Sequence, residues 1–82
     1  MKTHAEHAQA PSVVMVEEMI GISRESWEDA ARILVVRASE TIRHITGLDV
    51  VRNTAVVCQG KITEYHVTAK VAFIVEPAAI DQ

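Results

Sequence analysis

The sequence predicts an α+β fold of β-α-β-β order, in which a three-stranded antiparallel sheet wraps on one long helix. Two stretches rich in β-branched residues, Val13–Ile20 and Leu48–Gln59, predict the first two strands. A helical repeat of apolar residues lies between them, and Ile62–Glu76 alternates between apolar and polar residues. Because 82 residues suffice for only one hydrophobic core, we expect a single domain.

The predicted helix spans Arg24–Ile45. Ser23 occupies the expected N-cap position, and Gly21 closes the first strand before it. Gly47 follows the helix as its expected stop, in the left-handed conformation that glycine readily adopts. The apolar stripe recurs at i, i+3 and i+4 spacing and comprises Trp27, Ala30, Ala31, Leu34, Ala38, Ile42 and Ile45.

The last predicted strand has two distinct faces, and Gly60 and Lys61 form the turn before it. Successive side chains on a strand point to opposite sides of the sheet. The apolar face comprises Tyr65, Val67, Ala69, Val71, Phe73 and Val75. The other face comprises Glu64, His66, Thr68, Lys70 and Ala72.

The apolar pattern also predicts assembly, because one helix covers only one face of a three-stranded sheet. The second strand has apolar residues at both parities: Leu48, Val50 and Val56 at one, and Val51, Ala55 and Val57 at the other. On the helix, Ile33 and Val36 lie well away from the stripe that begins at Trp27. We therefore expect the uncovered surface to be buried against further copies of the chain in a closed oligomer.

Composition excludes several classes of protein. The formal charge is −3 and the basic residues are scattered, so the chain is not expected to bind nucleic acid. Apolar runs such as Ile33–Val36 are far too short to cross a membrane. A single cysteine, Cys58, and no signal peptide favour a cytoplasmic location. Residues 1–12 are interpreted as a flexible arm, residues 13–76 as the domain and residues 77–82 as a loose tail.

Catalysis is not predicted, because no group of residues has the arrangement of a nucleophile with its base or of paired carboxylates. His66 and Tyr65 are adjacent on a strand and point to opposite faces, so they cannot act on one substrate within a subunit. Trp27 and Tyr65 are interpreted as core residues rather than as ligand contacts. Cys58 has no neighbour in sequence that would activate its thiol.

The ordered motifs resemble those of the dodecins, small β-α-β-β proteins that assemble as hollow shells of twelve subunits and store flavin. The motifs are EMIGIS at 18–23, SWEDA at 26–30, RASETIR at 37–43, DVV at 49–51, GKITEYHVT at 60–68 and VAF at 71–73. The resemblance extends from Val13 to Glu76 almost without gaps. It implies a homododecamer that binds and sequesters riboflavin or flavin mononucleotide (FMN), with coenzyme A as a further ligand known from some relatives.

The resemblance also implies a ligand site made of Gly47, Leu48, Asp49, Arg52 and His66. Three of these positions differ from relatives. Flavin-binding dodecins have a stacking aromatic residue at the position of Gly47 and a glutamine at the position of His66, and some relatives have an acidic residue at the position of Arg52. Glycine provides no stacking surface. A neutral imidazole can donate from one nitrogen and accept at the other, much as an amide does, and its charge changes between about pH 5 and 8.

These differences from flavin-binding relatives leave two hypotheses about the function. In the first, the shell holds a flavin or a similar flat anionic cofactor, and Arg52 favours a ligand that carries phosphate. In the second, the chain is a structural member of the fold with a degenerate flavin site that binds calcium or a protein partner instead. Asp49, Glu17 and Glu18 offer carboxylates for a divalent cation across subunits, but their spacing does not itself predict a metal site.

Overall fold

The computed structural model describes residues 11–75 and confirms the β-α-β-β order. The elements are β1 (Val14–Ser23), α1 (Trp27–Ser39), β2 (Ile45–Cys58) and β3 (Lys61–Ile74). They form one antiparallel sheet in the order β1-β3-β2, so β3 is the central strand. A tight turn joins β2 to β3, and its residues Gln59 and Gly60 both have positive φ. Most of the predicted arm, the tail and Glu76 lie outside the described residues.

The helix begins three residues later than predicted, and its N-cap is Ser26 rather than Ser23. Ser26 has an extended backbone, and its Oγ accepts a hydrogen bond from the Asp29 amide at 3.0 Å. Ser23 instead ends β1, where its buried hydroxyl accepts from the Glu25 amide at 2.8 Å. Two serines therefore share the turn between strand and helix, and only the second has the geometry of a cap.

The same turn contains a charged group whose protonation is coupled to the fold. The Ser23 hydroxyl donates to Asp29 Oδ2 at 2.7 Å, and Arg32 donates to Oδ1 of the same carboxylate at 2.8 Å. The Ser23 hydrogen bond and, after it, the Arg32 hydrogen bond hold the pKa of Asp29 below its ordinary value of 3.8. The ionised carboxylate is thus the form that this turn stabilises.

The helix ends at Ser39, so the predicted end at Ile45 was wrong, and so was the prediction that Gly47 stops the helix. His44 has a φ of 62° and redirects the chain, after which Ile45 begins β2 opposite Phe73. Ile45 still packs against the core, but from the sheet rather than from the helix. Gly47 lies within β2 and pairs with Ala72. The spacing was misleading because two successive elements contribute apolar residues to one core.

The hydrophobic core lies between α1 and one face of the sheet. Its buried members are Ala30 and Leu34 from the helix and Val67, Ala69 and Val71 from β3. The predicted alternation of β3 is thereby confirmed. Since α1 lies over β1 and β3, the second edge strand is left largely uncovered on its helix side.

Strand β1 continues through Gly21 to Ser23, so the prediction that Gly21 closes the strand was wrong. Gly21 pairs with Val67 on the central strand and lies beneath the helix. The glycine therefore serves the contact between strand and helix and does not form a turn.

Three irregularities in the pairing of β2 with β3 affect which side chains share a face, and the third lies between Val56 and Val57. The register against β3 shifts between Ile45 and Gly47 and again between Val50 and Arg52, which leaves Val51 as an extra residue. Beyond this bulge, Arg52 pairs with Thr68 and Val56 with Glu64. The predicted parity was therefore wrong for Val56, which does not share the face of Leu48 and Val50.

Candidate ligand site

The sheet has one face that α1 does not cover, which we call the open face. Residues directly opposite each other in an antiparallel pair lie on the same side of the sheet. Four of the five predicted site residues lie on the open face through their β2-β3 pairs. These pairs are Gly47 with Ala72, Asp49 with Lys70, Arg52 with Thr68, and His66 with Thr54.

Leu48 is the exception, because it pairs with Val71 on the helix side of the sheet. Its side chain is 37% exposed at the uncovered edge of the core. Leu48, predicted as a site residue beside Gly47, therefore lies on the opposite side of the sheet from Gly47, and a ligand could meet both only at the edge of β2. A shallow cavity of about 300 Å³ does meet Gly47, Leu48 and Asp49 at this edge, together with Val16, Lys70 and Ala72.

Gly47 leaves space on the open face. A Cβ atom at this position would lie 3.9 Å from the Cβ of Ala72, which is ordinary van der Waals contact, and the backbone is not in the left-handed region. Ala72 also pairs with Val16 on β1. The row of residues across the three strands at this position therefore has only small and medium side chains. The position can thus accept a larger side chain without backbone strain.

Gly47 and His66 do not come together within one subunit. Gly47 pairs with Ala72, which is six residues from His66 along β3. At about 3.4 Å per residue the two positions are roughly 20 Å apart. A single flat ring system is shorter than this distance, so these two residues can meet one ligand only if they come from different subunits.

The middle of the open face carries alternating charge. By register, Lys70 lies between Asp49 on β2 and Glu18 on β1. Arg52 is exposed one step further along β2, and within residues 11–75 its guanidinium makes no ion pair. Charges of both signs are therefore available on this face, and the guanidinium is the group best suited to a phosphate or carboxylate.

His66 makes a contact that the sequence analysis missed. Its Nε2 lies 2.9 Å from Oε1 of Glu64, and the two side chains are 25% and 38% exposed. The imidazole is flanked by Thr54 on β2 and Ile22 on β1. The signal for this pair was the i, i+2 spacing on a strand, which places both side chains on one face.

Trp27 and Tyr65 pack on the helix side, as predicted. Their rings meet edge to face with centroids 4.9 Å apart, and the indole N–H of Trp27 donates to the carbonyl oxygen of Thr54 at 2.8 Å. This hydrogen bond joins the first turn of α1 to β2 and satisfies the polar atom of a largely apolar ring. Neither ring lies on the open face.

The part of the chain that the structure describes contains no group of three or more side chains that could hold a metal ion. Glu17 pairs with Val71 on the helix side, whereas Glu18 lies on the open face, so the two carboxylates diverge. Across residues 11–75, no helix is long and apolar enough to cross a membrane.

Comparison with known proteins gives a consistent result. The family model for Dodecin matches residues 13–76. The structure is similar to that of dodecin from Streptomyces coelicolor, with 27% identity, a TM-score of 0.80, and coverage of 82% of this chain and 96% of that one. Dodecin from Streptomyces davaonensis gives 28% identity and a TM-score of 0.80, with coverage of 83% and 100%. No curated protein matches.

A third similar structure is named for calcium. It is the calcium dodecin from Mycobacterium tuberculosis, described as a calcium-chelating antigen with a novel calcium-binding site. This chain shares 34% identity with it at a TM-score of 0.71, with coverage of 85% of this chain and 100% of that one. The match to the family model over most of the chain, together with the shared fold, shows that the chain belongs to the dodecin family.

Proposed function

We propose that the chain is the subunit of an oligomeric shell, a homododecamer, that binds and sequesters a flavin such as riboflavin or FMN. The observation that supports this most is the placement of Gly47, Asp49, Arg52 and His66 on the open face. These residues lie on the face of the sheet that α1 leaves uncovered. The chain acts in this proposal as a binding protein and not as an enzyme.

Assembly follows from the same surface. Large apolar side chains on the open face remain about half exposed in the single chain, among them Val16 at 54% and Ile20 at 59%. Such a surface is costly to leave in water and favours burial against other copies. The separation of Gly47 and His66 adds a second reason, since a ligand that meets both needs two subunits.

The ligand test is a titration of the purified protein with riboflavin, FMN and flavin adenine dinucleotide, followed by quenching of flavin fluorescence. We expect saturable quenching and a bound flavin that co-elutes with the assembled shell. We expect FMN to bind more tightly than riboflavin. Loss of this preference in Arg52→Gln would assign the phosphate contact to Arg52. The same titration with coenzyme A tests the second phosphate-bearing ligand.

The assembly test is light scattering combined with size-exclusion chromatography. We expect the mass of about twelve subunits. A folded monomer at micromolar concentration would contradict both the shell and the two-subunit site.

The alternative is a structural shell with a degenerate flavin site that binds calcium or a protein partner. Gly47, which provides no ring for stacking, favours it, and so does the similarity to the calcium dodecin. The open face contributes the carboxylates of Asp49 and Glu18, and further oxygen ligands would come from other subunits. A shell that quenches no flavin but takes up calcium in a calorimetric titration would establish this alternative.

A further inference from the structure

We propose that Glu64 is a positioning residue that decides which hydrogen-bonding group His66 presents to a ligand. This inference rests on the proposed function, because it deepens the role of the same open face. Glu64 engages Nε2 of His66, so that Nδ1 is left as an acceptor. The site then selects flat heterocycles that carry a ring N–H over those that offer only acceptors.

The chemistry of the contact determines where the proton is. An ionised carboxylate only accepts hydrogen bonds, so the 2.9 Å contact with Glu64 requires Nε2 to carry the hydrogen. A neutral imidazole has one such hydrogen, and Nδ1 therefore has a free lone pair. The bond also restrains rotation of the ring, since both side chains project from the central strand and are partly buried.

Nδ1 is available for a ligand. In the described part of the chain, the hydrogen bond with Glu64 is the only one that the His66 ring makes. The residues on either side, Thr54 and Ile22, belong to neighbouring strands, and the ring remains one quarter exposed between them. The acceptor is thus held at a fixed place on the open face without a protein donor.

The contact with Glu64 makes His66 differ from a glutamine in what it can offer a ligand. A glutamine amide offers a donor and an acceptor together, whereas His66 has already used its donor on Glu64. The complementary ligand group is a ring N–H such as the imide of the isoalloxazine system. A ligand with only carbonyl oxygens at this point would face the lone pair of Nδ1 and be rejected.

The first test determines the protonated nitrogen directly, without any ligand. Nitrogen-15 spectra of the histidine side chains are recorded on the full chain at about pH 8, where imidazoles are neutral. The His66 signals are identified by their loss in His66→Gln. We expect the wild type to show a protonated Nε2 and an unprotonated Nδ1.

Glu64→Gln is the informative variant, because a glutamine amide can either accept from Nε2–H or donate to a bare Nε2. The two His66 nitrogen signals should then shift toward each other as both tautomers become populated. Glu64→Ala provides a second variant that lacks any side-chain acceptor. Glu28→Gln is the matched control, because it removes one charge from an exposed position on α1 without contacting His66. Unchanged His66 signals in both Glu64 variants would overturn the proposal.

The second test measures ligand selection with riboflavin and its N3-methyl derivative, which lacks the imide hydrogen. Wild type and Glu28→Gln should prefer riboflavin by about tenfold, the effect of one hydrogen bond. In Glu64→Gln, the ratio of the affinities for riboflavin and its N3-methyl derivative should be smaller than in the wild type. Equal binding of the two ligands by wild type would overturn the role of Nδ1. If neither ligand binds, the proposed flavin function fails, while the nitrogen spectra still decide whether Glu64 positions His66.

Discussion

Gly21 on β1 lies directly beneath Ala30 of α1, so close that a methyl group on Gly21 would overlap the carbonyl oxygen of Ala30. The same methyl group would lie 2.8 Å from the Cβ of Leu34. Strand and helix therefore approach each other across the one residue without a side chain. This close approach allows Ala30 and Leu34 to become buried against the central strand.

Gly21→Ala should destabilise the protein, because the clash involves a backbone carbonyl that cannot rotate away. Overpacking of this kind costs about 1–3 kcal/mol, which corresponds to roughly 4–24 °C in the melting temperature of a domain of this size. Thermal unfolding followed by circular dichroism measures it, at one fixed subunit concentration because assembly itself contributes to stability. Gly47→Ala is the control and should melt close to the wild type, since its Cβ meets only Ala72 at 3.9 Å.

Gly47→Trp should tighten flavin binding, because it adds a flat stacking surface that glycine does not provide. The gain expected is about tenfold, or about 1.4 kcal/mol. The backbone at Gly47 is extended strand, and a Cβ atom there would meet only the Cβ of Ala72 at 3.9 Å, so the substitution adds no backbone strain. Gly47→Leu serves as the control, with an apolar side chain that is not planar. Equal affinity of the tryptophan and leucine variants would show that no ring stacks at this position.

Flavin affinity should depend on pH through His66. Protonation places a hydrogen on Nδ1, which removes the acceptor for an imide N–H, so riboflavin should bind more weakly at pH 5.5 than at about pH 8. A phosphate group near the same ring would give the opposite sign. Glu64 and Arg52 are the charged groups closest to the ring by contact and register.

His66→Gln is the control for this pH dependence, because an amide does not titrate. It should retain flavin binding and give a flat profile between about pH 5 and 8. Identical profiles for wild type and His66→Gln would place the ligand elsewhere on the molecule. Fluorescence quenching at each pH, with the assembled state checked by light scattering, provides both measurements.

Asp29 should make the fold sensitive to acid. Its pKa lies below the ordinary value of 3.8 because Ser23 and Arg32 donate to its carboxylate. A lowered pKa in the folded state means that the stabilisation is present above the unfolded value and is lost as the pH falls through the folded value. The wild type should therefore be more stable than Asp29→Asn at pH 7, and the difference should shrink below about pH 4.

Glu28→Gln is the matched control for Asp29. Glu28 is also acidic, lies in the first turn of α1 and is exposed, but it makes none of the hydrogen bonds of Asp29. Its substitution should leave the pH dependence of the melting temperature unchanged. A wild-type advantage over Asp29→Asn that persists unaltered to pH 2.5 would contradict the assignment.

Much of the fold could be predicted from local patterns. The alternation around Val67, Ala69 and Val71 identified the strand face that packs against the helix, because neighbouring strand residues must point to opposite sides. Ala30 and Leu34 likewise marked the buried side of α1. The motifs along 18–73 then indicated the family, and the family model confirms it.

The ends of the elements could not be predicted in this way. Ile45 continued the helical spacing although it begins β2, because a repeat of apolar residues records burial and not the element that contributes the residue. Ser23 and Ser26 are both suitable caps by residue type, and only the backbone geometry distinguishes them. Gly47 likewise suits a helix stop by residue type. Its extended conformation became clear only from its place within β2.

The arrangement of the site depended most on tertiary structure. Strict alternation would place Arg52 on the side of Leu48, and the bulge at Val51 moves it to the open face with Asp49. A bulge is a mismatch between two paired strands, so neither strand encodes it alone. The sequence determined which residue types reach the sheet and placed Glu64 and His66 on one face by their i, i+2 spacing, whereas strand pairing decided that Arg52 shares that face with Gly47.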